Sequence, residues 1–192
     1  FDGKENIVAT PPENTVTFPL PAELLRLFVV EEFPAPPISV FSDDFDGAVK
    51  PWSTGGDTGL DPFTNWESGA PSGVGPGTAN SGANCFATNL SADYAVEAEI
   101  WLRSPVIDLT AVAGATLNFS HYVDIEEGFD SGQIRLLDAD AANAELAILQ
   151  TAIDGNNPAG WQPFNKTLPA AALGKNVVIE FLFKSDDFNE PT

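Results

Sequence analysis

The sequence predicts an all-β protein: an antiparallel β-sandwich of two packed sheets, preceded by a short N-terminal β segment. Three observations carry this. Short runs alternate apolar and polar residues. The cleanest is Ala115 to Val123, with Leu117, Phe119, His121 and Val123 on one side and Thr116, Asn118, Ser120 and Tyr122 on the other. Gly, Pro, Asn and Ser fill the connections, as turn residues do between short strands. No segment sustains a helical apolar period. The chain has 192 residues, 43% of them hydrophobic, which suits one sandwich of generous size plus an extra segment.

In chain order, Asn14 to Leu20 and Leu24 to Glu31 read as two short strands flanking Pro21-Ala22, with Val16 and Phe18 on one face. Phe33 to Pro37 holds three prolines and reads as a stiff connector. A boundary near Pro36 therefore divides residues 1–36 from a main module at 37–192. Two strands alone are marginal in water, so residues 1–33 either dock on the module or end a preceding domain. Ile38, Val40 and Phe45 suit a first strand, with an acidic turn at Asp43 to Gly47. Residues 51–83 are rich in Gly, Pro, Ser, Thr and Asn and read as a long ordered loop.

Strands follow at Ile100 to Leu102, Pro105 to Leu109, Ala115 to Val123, Gln133 to Leu137, Glu145 to Leu149 and Asn176 to Lys184. Ala170 to Gly174 reads as one helical turn. In the last strand Val177, Ile179, Phe181 and Phe183 form one stripe. Val178 and Leu182 on the other side mark it as an interior strand. Leu117, Phe119, Ile134, Ile179, Phe181 and Phe183 are the residues expected between the sheets.

The net charge is −20, from 28 acidic and 8 basic residues. Such a surface repels phosphate backbones, so nucleic acid is not an expected partner. It attracts cations, and it also serves solubility in a salty medium. No apolar run reaches the length of a membrane span. The chain starts at Phe1 and contains no Met, which reads as a mature product or a fragment. The single cysteine, Cys85, cannot form an internal disulfide and reads as a small buried hydrophobe.

Three carboxylate clusters stand apart in sequence: Asp43/Asp44/Asp46, Asp124/Glu126/Glu127/Asp130, and Asp186/Asp187/Glu190. Calcium takes about 6–8 hard oxygens, often from several loops, and loops at one end of a sandwich can supply them. Gly47, Gly128 and Gly132 permit the tight backbone such loops need. The plainer reading is a set of solvated acidic turns. His121, the only histidine, is a semi-buried core residue or else a base or ligand. Trp52, in a Pro/Gly/Ser loop, is the best candidate for contacting a ligand by stacking, against a packing role. No GxSxG, P-loop, HExxH or Cys/His pairing is present. Nothing selects a glycosidase-like pair from the 28 acids, and the chain is expected not to be an enzyme.

Several short words recur in a set order. They are Trp66-Glu67 with a Gly-Ala-Pro turn, Ala79 to Gly82 before CFATNL, LRSPVIDL, the loop HYVDIEEGFDSG, Trp161, and the closing VIEFLFKSDD. Together, over roughly residues 38–187, they resemble the MAM-like jelly-roll module at the C-terminal end of immune inhibitor A type secreted bacterial proteases. The resemblance implies a jelly-roll sandwich, an extracellular or cell-surface setting, and structural Ca2+ held by Asp44, Glu126, Asp130 and Asp187. The function it implies is a non-catalytic, calcium-stabilised binding or adhesion module, its partner a glycan or protein at the cell surface. Alternatives are an accessory domain of a secreted protease or glycoside hydrolase, and a structural filament subunit assembled by strand donation.

The last alternative has a specific motive. Family members continue past the SDD with a closing strand, and this chain ends at Thr192. The edge beside residues 176–184 is therefore expected to be covered by a strand from outside residues 38–192. Identical subunits could donate that strand in trans, building a head-to-tail fibre.

Overall fold

The computed structural model describes residues 37–47, 51–61, 63–157 and 159–188. The chain separates into two compact units, Phe1–Ile38 and Ser39–Thr192. The strands expected at 14–20 and 24–31 lie outside the described residues, as does Glu190.

The second unit is an antiparallel β-sandwich. Its strands are β1 (Ser53–Asp57), β2 (Trp66–Gly69), β3 (Cys85–Thr88), β4 (Glu99–Arg103), β5 (Ile107–Asp108) and β6 (Thr116–His121), followed by β7 (Asp124–Ile125), β8 (Ser131–Asp138), β9 (Ala144–Ile153), β10 (Gly155–Asn156), β11 (Gln162–Thr167) and β12 (Asn176–Lys184). One sheet runs β1-β4-β12-β8-β9, with β5 also beside β12. The pairs β6–β11, β2–β3 and β7–β10 are separate two-stranded sheets. The turn expected at Ala170 to Gly174 is a 3-10 turn over Ala170–Ala172, with Gly174 at φ +76° just beyond it.

The core lies between the large sheet and the β6–β11 pair. Ile134, Leu136, Leu149, Val177 and Ile179 are buried in it, and Leu117, Phe119, Phe164 and Phe181 pack against them. Phe119 stacks on Phe164 at 4.7 Å and meets Phe181 edge-on at 5.2 Å. Ile134, Ile179 and Phe183 are buried as alternation requires. Leu117, Phe119 and Phe181 lie on the expected faces but are only half-buried. Cys85 is buried.

β12 is the central strand, and it is covered on both faces. Val177, Ile179 and Phe183 are buried on one side, and Val178, Glu180 and Leu182 on the other. Its hydrogen-bonding neighbours are β4 and β5 on one edge and β8 on the other. The interior character read from the sequence is correct, but the inference drawn from it is not. Both neighbours come from residues 99–138, so no strand from outside the module is needed beside 176–184. The motive for a strand-donated filament goes with it.

Glu180 makes that second face possible. It is fully buried, and the register sets it opposite Arg103 on β4 and Arg135 on β8. Arg103 Nε donates to Oε2 at 2.7 Å and Arg135 Nε to Oε1 at 2.6 Å. Arg103 also lies over the Trp101 ring at 4.0 Å. A carboxylate clamped between two guanidiniums replaces the water it has lost.

Two stretches differ from the sequence reading. Residues 38–45 are not a strand; Ile38 is 82% exposed and Val40 43%. The Asp43 and Asp44 carboxylates accept the Phe45 and Asp46 amides two residues on, and Phe45 sits at φ +63°. These local bonds take up the amides that a ladder would need. Residues 51–83 are not one loop, because they contain β1 and β2. β1 reads STGGD, with no apolar alternation. Its glycines serve proximity: a Cβ on Gly55 would run into the Trp101 ring on neighbouring β4.

β9 pairs with β8 through three register shifts. Leu149 turns into the core there, while Ile148 is 44% exposed. Among the described residues, no helix is long and apolar enough to cross a membrane.

Candidate metal centre

The register places one end of the large sheet. Asp57, Glu99, Lys184 and Ser131 lie in a row across β1, β4, β12 and β8. The segments 94–98, 126–130 and 185–188 extend past that row and meet. Glu97 N–H donates to the Asp186 carbonyl at 2.6 Å, and Asp186 N–H donates to Asp130 Oδ1 at 2.7 Å. The 126–130 loop closes on itself through Asp130 N–H to the Glu126 carbonyl at 3.3 Å. Gly128 at φ +82° permits that turn, and its N–H is held by Asp154 Oδ2 at 3.1 Å. Tyr94 Oη accepts the Glu126 N–H at 3.0 Å.

The result is a convergence of Glu126, Asp130 and Asp186, each of which offers one carboxylate oxygen within 4.8 Å of the others'. Asp130 is 1% exposed. Asp130 Oδ2 and Glu126 Oε2 are buried and, among the described residues, have no partner in hydrogen-bond geometry. The ion pairs found among the described residues engage other carboxylates. Burial, with the neighbouring acids adding to it, pushes the Tyr94 phenol far above its usual pKa, so it stays neutral beside them.

Buried carboxylate oxygens without donors are costly unless a cation satisfies them. Two oxygens bound to one calcium at about 2.4 Å are at most about 4.8 Å apart, so the spacing suits a shared ion. The donor set is all oxygen, which suits calcium and not zinc.

Of the four carboxylates implied by the resemblance, Glu126 and Asp130 are in this group. Asp187 is exposed, and its neighbour Asp186 takes the inward place. Asp44 is exposed and accepts the Asp46 N–H. Its cluster is spent on loop construction: Asp46 accepts the Ala83 and Asn84 amides, and Asp43 accepts Phe45 N–H and Trp52 Nε1. Asp186 carried no sequence signal to separate it from Asp187. The choice between them is made by the Glu97 contact across 89 positions of chain (186 − 97). Tyr94 carried none either.

Trp52 is not a free stacking surface. Its ring packs with Phe41, Phe45, Phe86 and Phe181, and its indole N–H is held by Asp43 Oδ2 at 2.8 Å. His121 is half-buried beside Phe119 and Phe164, and its Nδ1 is buried without a partner. Burial lowers its pKa.

No family model matches the chain. Over 147 residues it is 30% identical to bacillopeptidase F of Bacillus subtilis, an alignment that covers 77% of this chain and 10% of that protein. The chain thus spans about a tenth of the length of that relative. Two solved structures are similar over most of their length. The K1 cleaved adhesin domain of Lys-gingipain from Porphyromonas gingivalis is 23% identical, with TM-score 0.48, covering 76% of this chain and 89% of that one. The K3 cleaved adhesin domain of the same protein is 21% identical, with TM-score 0.46, covering 78% and 90%.

Proposed function

We propose that residues 39–188 form a non-catalytic, calcium-stabilised binding or adhesion module that serves as an accessory domain of a larger secreted protease. The observation that carries it is the buried pair of unpartnered oxygens, Asp130 Oδ2 and Glu126 Oε2, drawn together with Asp186. A structural ion there ties the 126–130 loop to the segment after β12. Extracellular modules use sites of this kind at about 0.1–1 mM affinity, so the reading fits a setting outside the cell. The partial match to bacillopeptidase F supports the accessory context. The packing of His121 against Phe119 and Phe164, and the burial of Cys85, support a role outside catalysis. The partner is a glycan or protein at a cell surface.

Calorimetric titration of the metal-stripped chain with calcium chloride tests the site. One ion is expected to bind, with Asp130→Asn abolishing the heat and Asp44→Asn leaving it unchanged. No calcium heat in the parent chain would sink the proposal.

A further inference from the structure

We infer that a cleft beside the β6–β11 pair receives the side chain of a lysine or arginine from a partner polypeptide. The cleft has a volume of about 540 Å³ and is lined by His121, Val123, Glu127, Ile153, Asp154 and Phe164, among others. That volume lies within the range of small-ligand sites, about 300–1,000 Å³. Its chemistry is divided. Val123, Ile153 and Phe164 give it an apolar floor, and Glu127 and Asp154 give it acidic groups. Among the described residues, no lysine or arginine lines it. An aliphatic stem ending in a cation matches both parts.

The acidic wall is built, not incidental. β10 pairs with β7, setting Gly155 opposite Ile125 and Asn156 opposite Asp124. Gly155 is at φ +77°, a Cβ placed there would come 4.0 Å from Glu127 Cγ, and Glu127 and Asp154 both line the cleft. The Gly128 N–H fixes the Asp154 carboxylate. Burial keeps the imidazole of His121 neutral at pH 7, so the wall carries no positive charge of its own. A sugar suits the cleft less well. Phe164 is stacked on Phe119, and the Asn156 amide is committed to Asp124. The inference does not depend on a metal at Glu126, Asp130 and Asp186.

His121 is the only histidine in the chain, so its imidazole proton resonance is a unique reporter in the cleft wall. The full chain is titrated with acetyl-Gly-Lys-Gly-amide and its Arg, Glu and Gln counterparts, with methyl glucoside, and with spermidine. The Lys and Arg peptides are expected to shift the resonance saturably. Glu127→Gln and Asp154→Asn should each weaken that binding at least tenfold, with circular dichroism unchanged. Asp61→Asn, an exposed acid outside the cleft, should change it less than twofold. Glu127 is exposed, so its variant decides the matter even where Asp154→Asn fails to fold.

Several results would overturn the inference. One is the absence of a saturable shift. Another is equal binding of the Gln peptide or the glucoside. A third is an Asp61→Asn effect as large as that of Glu127→Gln, which would reveal only attraction to an acidic surface. Spermidine binding tighter than either peptide would overturn the polypeptide source.

Discussion

Glu180 and Asp130 are buried to nearly the same degree, at 0% and 1% exposure, yet the chain treats them in opposite ways. Glu180 sits mid-strand in the centre of the sheet, and both of its oxygens are met by arginines from the adjacent strands. Asp130 sits where a loop enters β8. Oδ1 receives a backbone amide, Tyr94 hydrogen-bonds to the carboxylate, and Oδ2 is buried with no partner in hydrogen-bond geometry among the described residues, in a group with Glu126 and Asp186. In a chain with 8 basic residues against 28 acidic ones, two cations pair with the first site, and among the described residues none pairs with the second. On the proposed reading, the difference separates a carboxylate that the fold neutralises from one that it leaves for an outside cation.

The largest effect tests the first side of this contrast. Glu180→Ala takes the central carboxylate from both guanidiniums, leaving Arg135 only its longer contact to Glu145 at 3.6 Å, and should cost about 3–5 kcal/mol in urea unfolding. Both arginine side chains are 26% exposed and can regain some water, which favours the lower end of that range. A loss under about 1 kcal/mol would mean that burial of this carboxylate is not what the arginines answer to.

The second side predicts the opposite sign. Without calcium, Asp130→Asn removes an uncompensated charge and should leave stability unchanged or slightly raised. In the parent chain, calcium at 100 times its dissociation constant should add about 2.7 kcal/mol. For a domain of this size that is a melting shift of about 5–11 °C, reversed by a chelator and absent in Asp130→Asn. If Asp130→Asn destabilises the chelated protein as Glu180→Ala does, the two sites are alike and the contrast fails.

The smallest effect concerns His121, which titrates apart from both carboxylate sites. Burial lowers its folded-state pKa below the unfolded value of about 6.5. The unfolded chain then takes up a proton at a pH where the folded one does not. Stability is therefore complete above about pH 6.5 and declines as the pH falls below it. Measured with chelator present, the decline from pH 7.5 to 5.5 should be shallower in His121→Gln. Equal slopes would show that the imidazole is freely hydrated.

How much was legible in the sequence follows from where each residue lies. β6 was readable because it keeps a two-residue period beside a core, and β12 because its apolar run is near-continuous, as a strand covered on both faces requires. β1 was not, because Gly55 leaves room for the Trp101 ring and Gly56 for the β4 backbone at Glu99 and Ile100, and a sequence window does not contain those neighbours. The stretch 38–45 carries strand-like residues, but Asp43 and Asp44 turn it locally. At the candidate metal site, the family resemblance pointed to Glu126 and Asp130, which share one acidic loop. Asp186 was not legible, because its inward turn depends on Glu97 from a distant connection. Trp52 looked available in a polar loop, and only the fold brings four phenylalanines around it.

The irregular pairing of β9 has a consequence of its own. This ten-residue strand forms a border of the large sheet, where a straight strand would offer a row of free amides and carbonyls to any passing chain. Three register shifts and a backbone at φ +45° at Ala152 break that row into pieces that no regular strand can match along its length. Where many copies of the chain crowd together, such a border resists intermolecular zippering. The bends that carry Leu149 inward thus also protect the module from aggregation.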